Sequence, residues 1–169
     1  KYPKDLKEHI SGRLEAKNLT FKYENNNRNV LDKLNFVINP GELVAVVGPI
    51  GCGKTTLARA LGRMVEVSQG ELFLDQYDVV DLRLEDVRKN VAFVPQEGYL
   101  FTSTLSENLR YGDPTASQDQ VEASAVQAHF MDDVRGFPDG FKTLVGERGI
   151  TLSGGQRQRA ALGRALLMS

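Results

Sequence analysis

Gly48-Pro49-Ile50-Gly51-Cys52-Gly53-Lys54-Thr55-Thr56 decides the reading of this 169-residue chain. An apolar run, Leu43-Val44-Ala45-Val46-Val47, stands before it. A helix-like run, Leu57-Ala58-Arg59-Ala60-Leu61, follows. The order is strand, glycine turn, helix, with G-x-x-x-x-G-K-[ST] in the turn, which is the spacing of a phosphate loop. Glycines let the backbone curl so that several N–H groups converge on one anion. The helix adds the positive end of its dipole at the same point. Lys54 brings a mobile cation to the outer phosphates, and the Thr55 hydroxyl is placed to ligate magnesium.

The remaining composition sets bounds. The length suits one domain. Hydrophobic residues make up 41% and charged residues 25%, ordinary for a globular protein with a core. The net charge of -1 gives no bulk attraction to nucleic acid or to a membrane surface. No apolar run approaches the roughly 18 residues of a membrane span. The start, Lys1-Tyr2-Pro3-Lys4-Asp5-Leu6-Lys7, is polar and is not a signal peptide. It also lacks Met, as a fragment would. The single cysteine, Cys52, forms no internal disulfide and fits a reducing compartment. Lying beside Lys54 at a helix start, it is expected to react with alkylating agents and to be protected by bound ATP.

Outward from the loop, periodicity gives the elements. Leu14, Ala16, Leu19, Phe21 and Tyr23 alternate with one slip at Lys17-Asn18, which predicts a bulged strand. Val30, Leu34, Phe36 and Ile38 predict a second strand, stopped by Asn39-Pro40-Gly41. Strands are expected at 70–74 and at Val91-Ala92-Phe93-Val94, the latter ending at Pro95. Asp75 to Asp81 reads as a polar turn, and 84–87 as one helical turn. A helix capped by Ser103 or Thr104 covers Leu105–Leu109, and another covers Gln118–His129. Residues 142–151 read as an irregular charged loop. Ser153-Gly154-Gly155 opens a last helix through Leu167.

About a hundred residues past the phosphate loop stands Leu152-Ser153-Gly154-Gly155-Gln156. Ser and two Gly at a helix start make a second anion-binding end. Beside a phosphate loop, this pentapeptide resembles the signature motif of ATP-binding cassette (ABC) ATPases. Val94-Pro95-Gln96 looks like the family's Q-loop and Tyr23 like its A-loop aromatic. Thr143-Leu144-Val145-Gly146-Glu147-Arg148-Gly149 and Leu100–Leu109 look like the exporter branch, in which membrane and ATPase domains share one polypeptide. The resemblance covers about 12–168.

The resemblance implies an α/β fold: a P-loop NTPase core with a parallel sheet, an antiparallel β subdomain and a helical signature subdomain. Residues 1–11 would be a linker from a preceding membrane domain, and 12–169 a partial ABC ATPase domain. Gly48, Gly51, Cys52, Gly53, Lys54, Thr55 and Thr56 would wrap the phosphates of ATP. Tyr23 would stack on adenine. Thr55 and Gln96 would serve Mg2+, with Lys54, Gln96 and Ser153 contributing to catalysis. Ser153, Gly154, Gly155 and Gln156 would act in trans, on ATP held by a second nucleotide-binding domain paired head to tail. Glu147 and Arg148 would face the transmembrane domain. The setting would be the cytoplasmic face of a membrane, with no nucleic-acid partner.

One departure concerns hydrolysis. The family places apolar residues ending in Asp-Glu, then a switch histidine, after the signature helix. The sequence in hand stops at Leu167-Met168-Ser169, so the C-terminal part of the core is expected to be missing and hydrolysis by this chain to be near zero. Leu72-Phe73-Leu74-Asp75 is apolar-then-Asp, but Gln76 follows and the position is wrong. His9 and His129 both precede the signature. The leading reading is an ATP-hydrolysing cassette that powers export. The alternative is a non-hydrolytic ATP-binding half-cassette. A DNA-repair or chromosome-maintenance ATPase fits the exporter-like 146–149 segment poorly, and the signature disfavours a small-molecule kinase.

Overall fold

The computed structural model describes residues 10–146 and 150–168. The chain divides into two compact units, Lys1–Val91 and Ala92–Ser169. The readings of Glu147 and Arg148, and most of the 1–11 linker, lie outside the described residues.

In the first unit, β1 (Leu14–Phe21) pairs antiparallel with β2 (Leu31–Ile38) and with β3 (Leu72–Leu74), and β3 pairs with β4 (Tyr77–Asp78). The expected slip in β1 is present. Register shifts between Ala16 and Leu19, and Asn18 sits at φ 51. That extra residue keeps Ala16 and Leu19 on the buried face. Helix α1 (Lys54–Leu61) and helix α2 (Leu84–Asn90) add Ala60 and Val87 to a core with Leu19, Leu31, Leu72, Leu74, Val79 and Leu82. Helix α1 ends in a Schellman motif: Met64 N–H donates to Arg59 O and Arg63, at φ 49, donates to Ala60 O.

The strands expected at 43–47 and 91–94 are not formed among the described residues. Leu43–Val47 and Val91–Val94 belong to no ladder among the described residues, and the one parallel pairing there is the isolated bridge Val145 to Ile150. Leu43 is fully exposed, and Val44, Val46 and Val47 are exposed too. Such a run is a strand only when neighbours satisfy its N–H and C=O groups on both sides. Helix α2 runs past the single turn expected at 84–87, and strand β4 stands inside the polar turn expected at 75–81.

Asp75 occupies the β3–β4 turn at φ 54. Its carboxylate accepts from Ser11 N–H at 2.7 Å, Ser11 Oγ at 2.7 Å and Arg13 N–H at 2.9 Å. It thus clamps the entry of β1. Burial pushes its pKa up, but the hydrogen bonds from Ser11, Arg13 and Gly12 outweigh that and hold it below the ordinary 3.8. A depressed native pKa adds stability above the unfolded value, which is lost as pH falls through the native one. Acid unfolding below pH 3.8 should therefore shift in Asp75→Asn, whose stability would change less across that range. Identical acid limbs in a melting series would remove this role.

In the second unit, β5 (Ser103–Thr104) pairs with β6 (Leu144–Val145), inside what reads from sequence as an irregular loop. Helix α3 (Leu105–Arg110) starts at Thr104 in a capping box with Glu107, and α4 (Gln118–Gln127) starts at Ser117 in one with Gln120. Helix α4 stops two residues short of the expected end. His129, at φ 51, donates to Val126 O and Phe130 N–H to Ala125 O, a second Schellman motif. Phe130 then enters the core of Leu105, Leu109, Val121, Ala125, Val134, Val145, Leu152 and Ala160. Helix α5 (Met131–Gly136) follows, and α6 (Gly154–Leu166) packs on α3 and α4. Gly163 permits this approach, because a Cβ there would lie 2.8 Å from Leu109 Cδ2.

Candidate functional site

The phosphate loop leads from Leu43–Val47 into α1. Gly51 (φ 83) and Gly53 (φ 98) take left-handed conformations. Gly53 is doubly constrained, since a Cβ would come within 2.9 Å of Val30 O. At Gly48 a Cβ would meet Cys52 Sγ at 2.7 Å. No side chain caps α1, so its first N–H groups stay available. Lys54 is half-buried and folds back, with Nζ donating to Gly48 O at 2.7 Å and Pro49 O at 2.8 Å. Cys52 is exposed, with Sγ 3.8 Å from Lys54 Nζ.

Tyr23 lies just past β1. Its ring meets Phe21 edge-on at 4.8 Å, and its Oη is 3.2 Å from Thr56 Oγ1. Tyr23, Gly51, Gly53, Lys54, Thr55 and Thr56 line one cavity of about 280 Å³, with Asn26 and Val30. An anion fits this donor set: curled backbone, uncapped helix start, one mobile ammonium. The Thr55 hydroxyl fits a hard cation such as Mg2+.

The second group lies in the other unit. Ser153 caps α6: Gln156 N–H donates to Ser153 Oγ at 3.2 Å, and Ser153 N–H donates to Gln156 Oε1 at 2.9 Å. Gln96 is exposed and belongs to this unit, not to the one holding the phosphate loop. Its segment is fastened to α6. Gln158 Nε2 donates to Gln96 O at 3.1 Å, and a Cβ on Gly98 would lie 2.5 Å from Arg157 O. Arg164 Nη1 donates to Tyr99 O at 3.2 Å and Nε to Asn108 O at 2.9 Å, with the guanidinium over the Phe101 and Tyr111 rings. Asn108, almost fully buried, donates to Phe101 O and Thr104 O and accepts from Phe101 N–H.

Sequence reasoning missed two members of this second group. Asp133 accepts from Arg159 Nε at 2.8 Å, Arg159 Nη2 at 3.0 Å and Gln156 Nε2 at 3.3 Å. The Arg159 guanidinium, outweighing burial, holds the Asp133 carboxyl below its usual range. Nothing local in Met131-Asp132-Asp133-Val134 marks one aspartate over the other. The Asp75 clamp is equally silent, being made with residues over sixty positions away.

Comparison with known proteins places the chain in a family. The family model described as ABC transporter matches residues 31–169. The chain is 43% identical over 162 residues to an ATP-dependent lipid A-core flippase of Pseudomonas aeruginosa, covering 95% of this chain and 27% of that protein. It is 44% identical to the mitochondrial iron-sulfur clusters transporter ATM1 of Gibberella zeae, covering 92% of this chain and 22% of that protein. Among solved structures, a bacterial Atm1-family ABC exporter with ATP bound superposes with a TM-score of 0.88 at 36% identity, covering 99% of this chain and 29% of that chain. The chain therefore spans about a quarter of the length of these relatives. Among the described residues no helix is long and apolar enough to cross a membrane. Domains of this family bind ATP, generally with Mg2+, and its members are ATPases. With its P-loop NTPase fold and exporter relatives, this chain belongs to the ABC transporter family.

Proposed function

We propose that the chain is the nucleotide-binding part of an exporter, binding ATP and Mg2+ in the cavity that Tyr23, Lys54 and Thr55 share. That convergence carries the reading. Bound ATP supplies the phosphoryl group that water attacks. Backbone N–H groups of 51–56 and Lys54 hold phosphate oxygens, Thr55 ligates the metal, and Tyr23 offers its ring to adenine. Gln96 serves the metal and the attacking water. Ser153, Gly154, Gly155 and Gln156 face ATP on a second cassette paired head to tail, so that two anion-binding ends close on one triphosphate. The energy of ATP hydrolysis moves a substrate out across a membrane through a transmembrane domain, with the cassette on the cytoplasmic face.

The adenine contact is testable apart from the phosphate contacts. Tyr23→Ala should weaken ATP roughly tenfold or more, by the scale of base–aromatic stacking, and leave inorganic triphosphate unchanged. Tyr23→Phe, which gives up only the Thr56 hydrogen bond, should bind ATP nearly as the parent does. Equal weakening of ATP and triphosphate in a competition assay would reduce Tyr23 to a wall of the phosphate loop.

A further inference from the structure

The Asp133 carboxylate does more than pair with Arg159. It faces α6 with a side chain only 18% exposed, and Gln156 Nε2 donates to the oxygen it shares with Arg159 Nη2. An ionised carboxylate only accepts, so Gln156 must turn its NH2 end towards it. Its Oε1 end is then directed the other way, where it meets Ser153 N–H at 2.9 Å. Reversing the amide would set Oε1 against the carboxylate and NH2 against an N–H, breaking both contacts. Arg159 keeps the acid ionised and lies over the motif, since a Cβ on Gly155 would come 3.3 Å from its Nη1.

From this juxtaposition we infer that Asp133 is the positioning residue of the Ser153–Gln156 motif: it sets the polarity of the Gln156 amide and so closes the capping box. The inference rests on the reading of that motif as phosphate-facing. With the box closed, Ser153 Oγ is held as the acceptor of Gln156 N–H. The Ser153 hydroxyl proton and the N–H groups of Gly154 and Gly155 remain as donors directed off the helix start. A phosphate would meet three oriented donors, and without Asp133 only the Ser153 N–H contact would hold the amide in this sense.

Amide hydrogen exchange on the isotope-labelled full chain tests this. Asp133→Leu removes the acceptor. Asp133→Asn gives up the charge but keeps an acceptor oxygen for Gln156. Exchange at Ser153 N–H should speed up roughly five- to tenfold in Asp133→Leu and stay near the parent rate in Asp133→Asn. Protection in the α4 and α6 interiors should hold in both. If Asp133→Leu loses protection throughout the unit, Asp133→Ala, which admits water, is read in its place. Parent-like Ser153 exchange without the acceptor would overturn the assignment. So would equal acceleration in the Asn variant, which would leave only the ion pair with Arg159. MgATP binding by the parent chain, measured in parallel, tests the phosphate-facing reading separately: its absence removes that role while exchange still decides what Asp133 holds.

Discussion

Replacing Lys54 with Ala is expected to weaken MgATP binding by roughly 10- to 100-fold, the scale of a lost charge-assisted hydrogen bond. Among the described residues Lys54 pairs with no carboxylate, and its ammonium rests on two loop carbonyls. Those carbonyls are weak substitutes for phosphate oxygens, so the ligand takes the cation over without breaking an ion pair. The substitution should shift the thermal midpoint only slightly, since it removes two local hydrogen bonds to loop carbonyls and no ion pair. Lys54→Arg should recover only part of the affinity, because a guanidinium fork is bulkier than the point charge the loop encloses. Unchanged affinity in Lys54→Ala would mean that nucleotide, if bound, sits elsewhere.

The largest stability effect should come from Phe130→Ala. Among the described residues Phe130 is the largest fully buried side chain, and it joins α3, α4 and α6 residues in one core. Large-to-small changes at such aromatic positions cost about 3–5 kcal/mol, combining lost transfer energy with an unfilled cavity. The Schellman turn at His129 fixes where the ring enters, so backbone collapse cannot refill the space. Urea unfolding followed by signals of the 92–169 unit should show the full loss, and Phe130→Leu a smaller one. A cost below about 1 kcal/mol would show that the site relaxes and that Phe130 is not central.

What was legible in the sequence was local. Helix starts at Thr104 and Ser153 follow from a hydroxyl residue followed three positions later by Glu or Gln, a pattern contained in four residues. The bulge in β1 shows as a broken alternation. The phosphate loop and the cavity around Lys54 and Thr55 follow from spacing alone. What was hidden depends on partners far along the chain. Leu43–Val47 has the composition of a central strand, but composition does not supply the neighbours that make a strand. The two-residue β5 and β6 are too short for any period to register. Asp75 and Asp133 gain their roles from residues 62 and 26 positions away. Their local sequences do not distinguish them from ordinary surface acids.

Histidine and cysteine make the same point. His129 reads as a helix residue, yet it is the left-handed position that ends α4. Cys52 sits in the phosphate loop by sequence, and the structure adds that its sulfur lies where a side chain on Gly48 would intrude.

The loop at 48–56 is proposed as a working ATP site of this chain. Calorimetric titration of the full 169-residue chain with ATP, with and without magnesium, tests it most directly. Saturable binding near one ATP per chain is expected, strengthened by magnesium and weakened in Lys54→Ala. No heat of binding from pure, folded protein would contradict it.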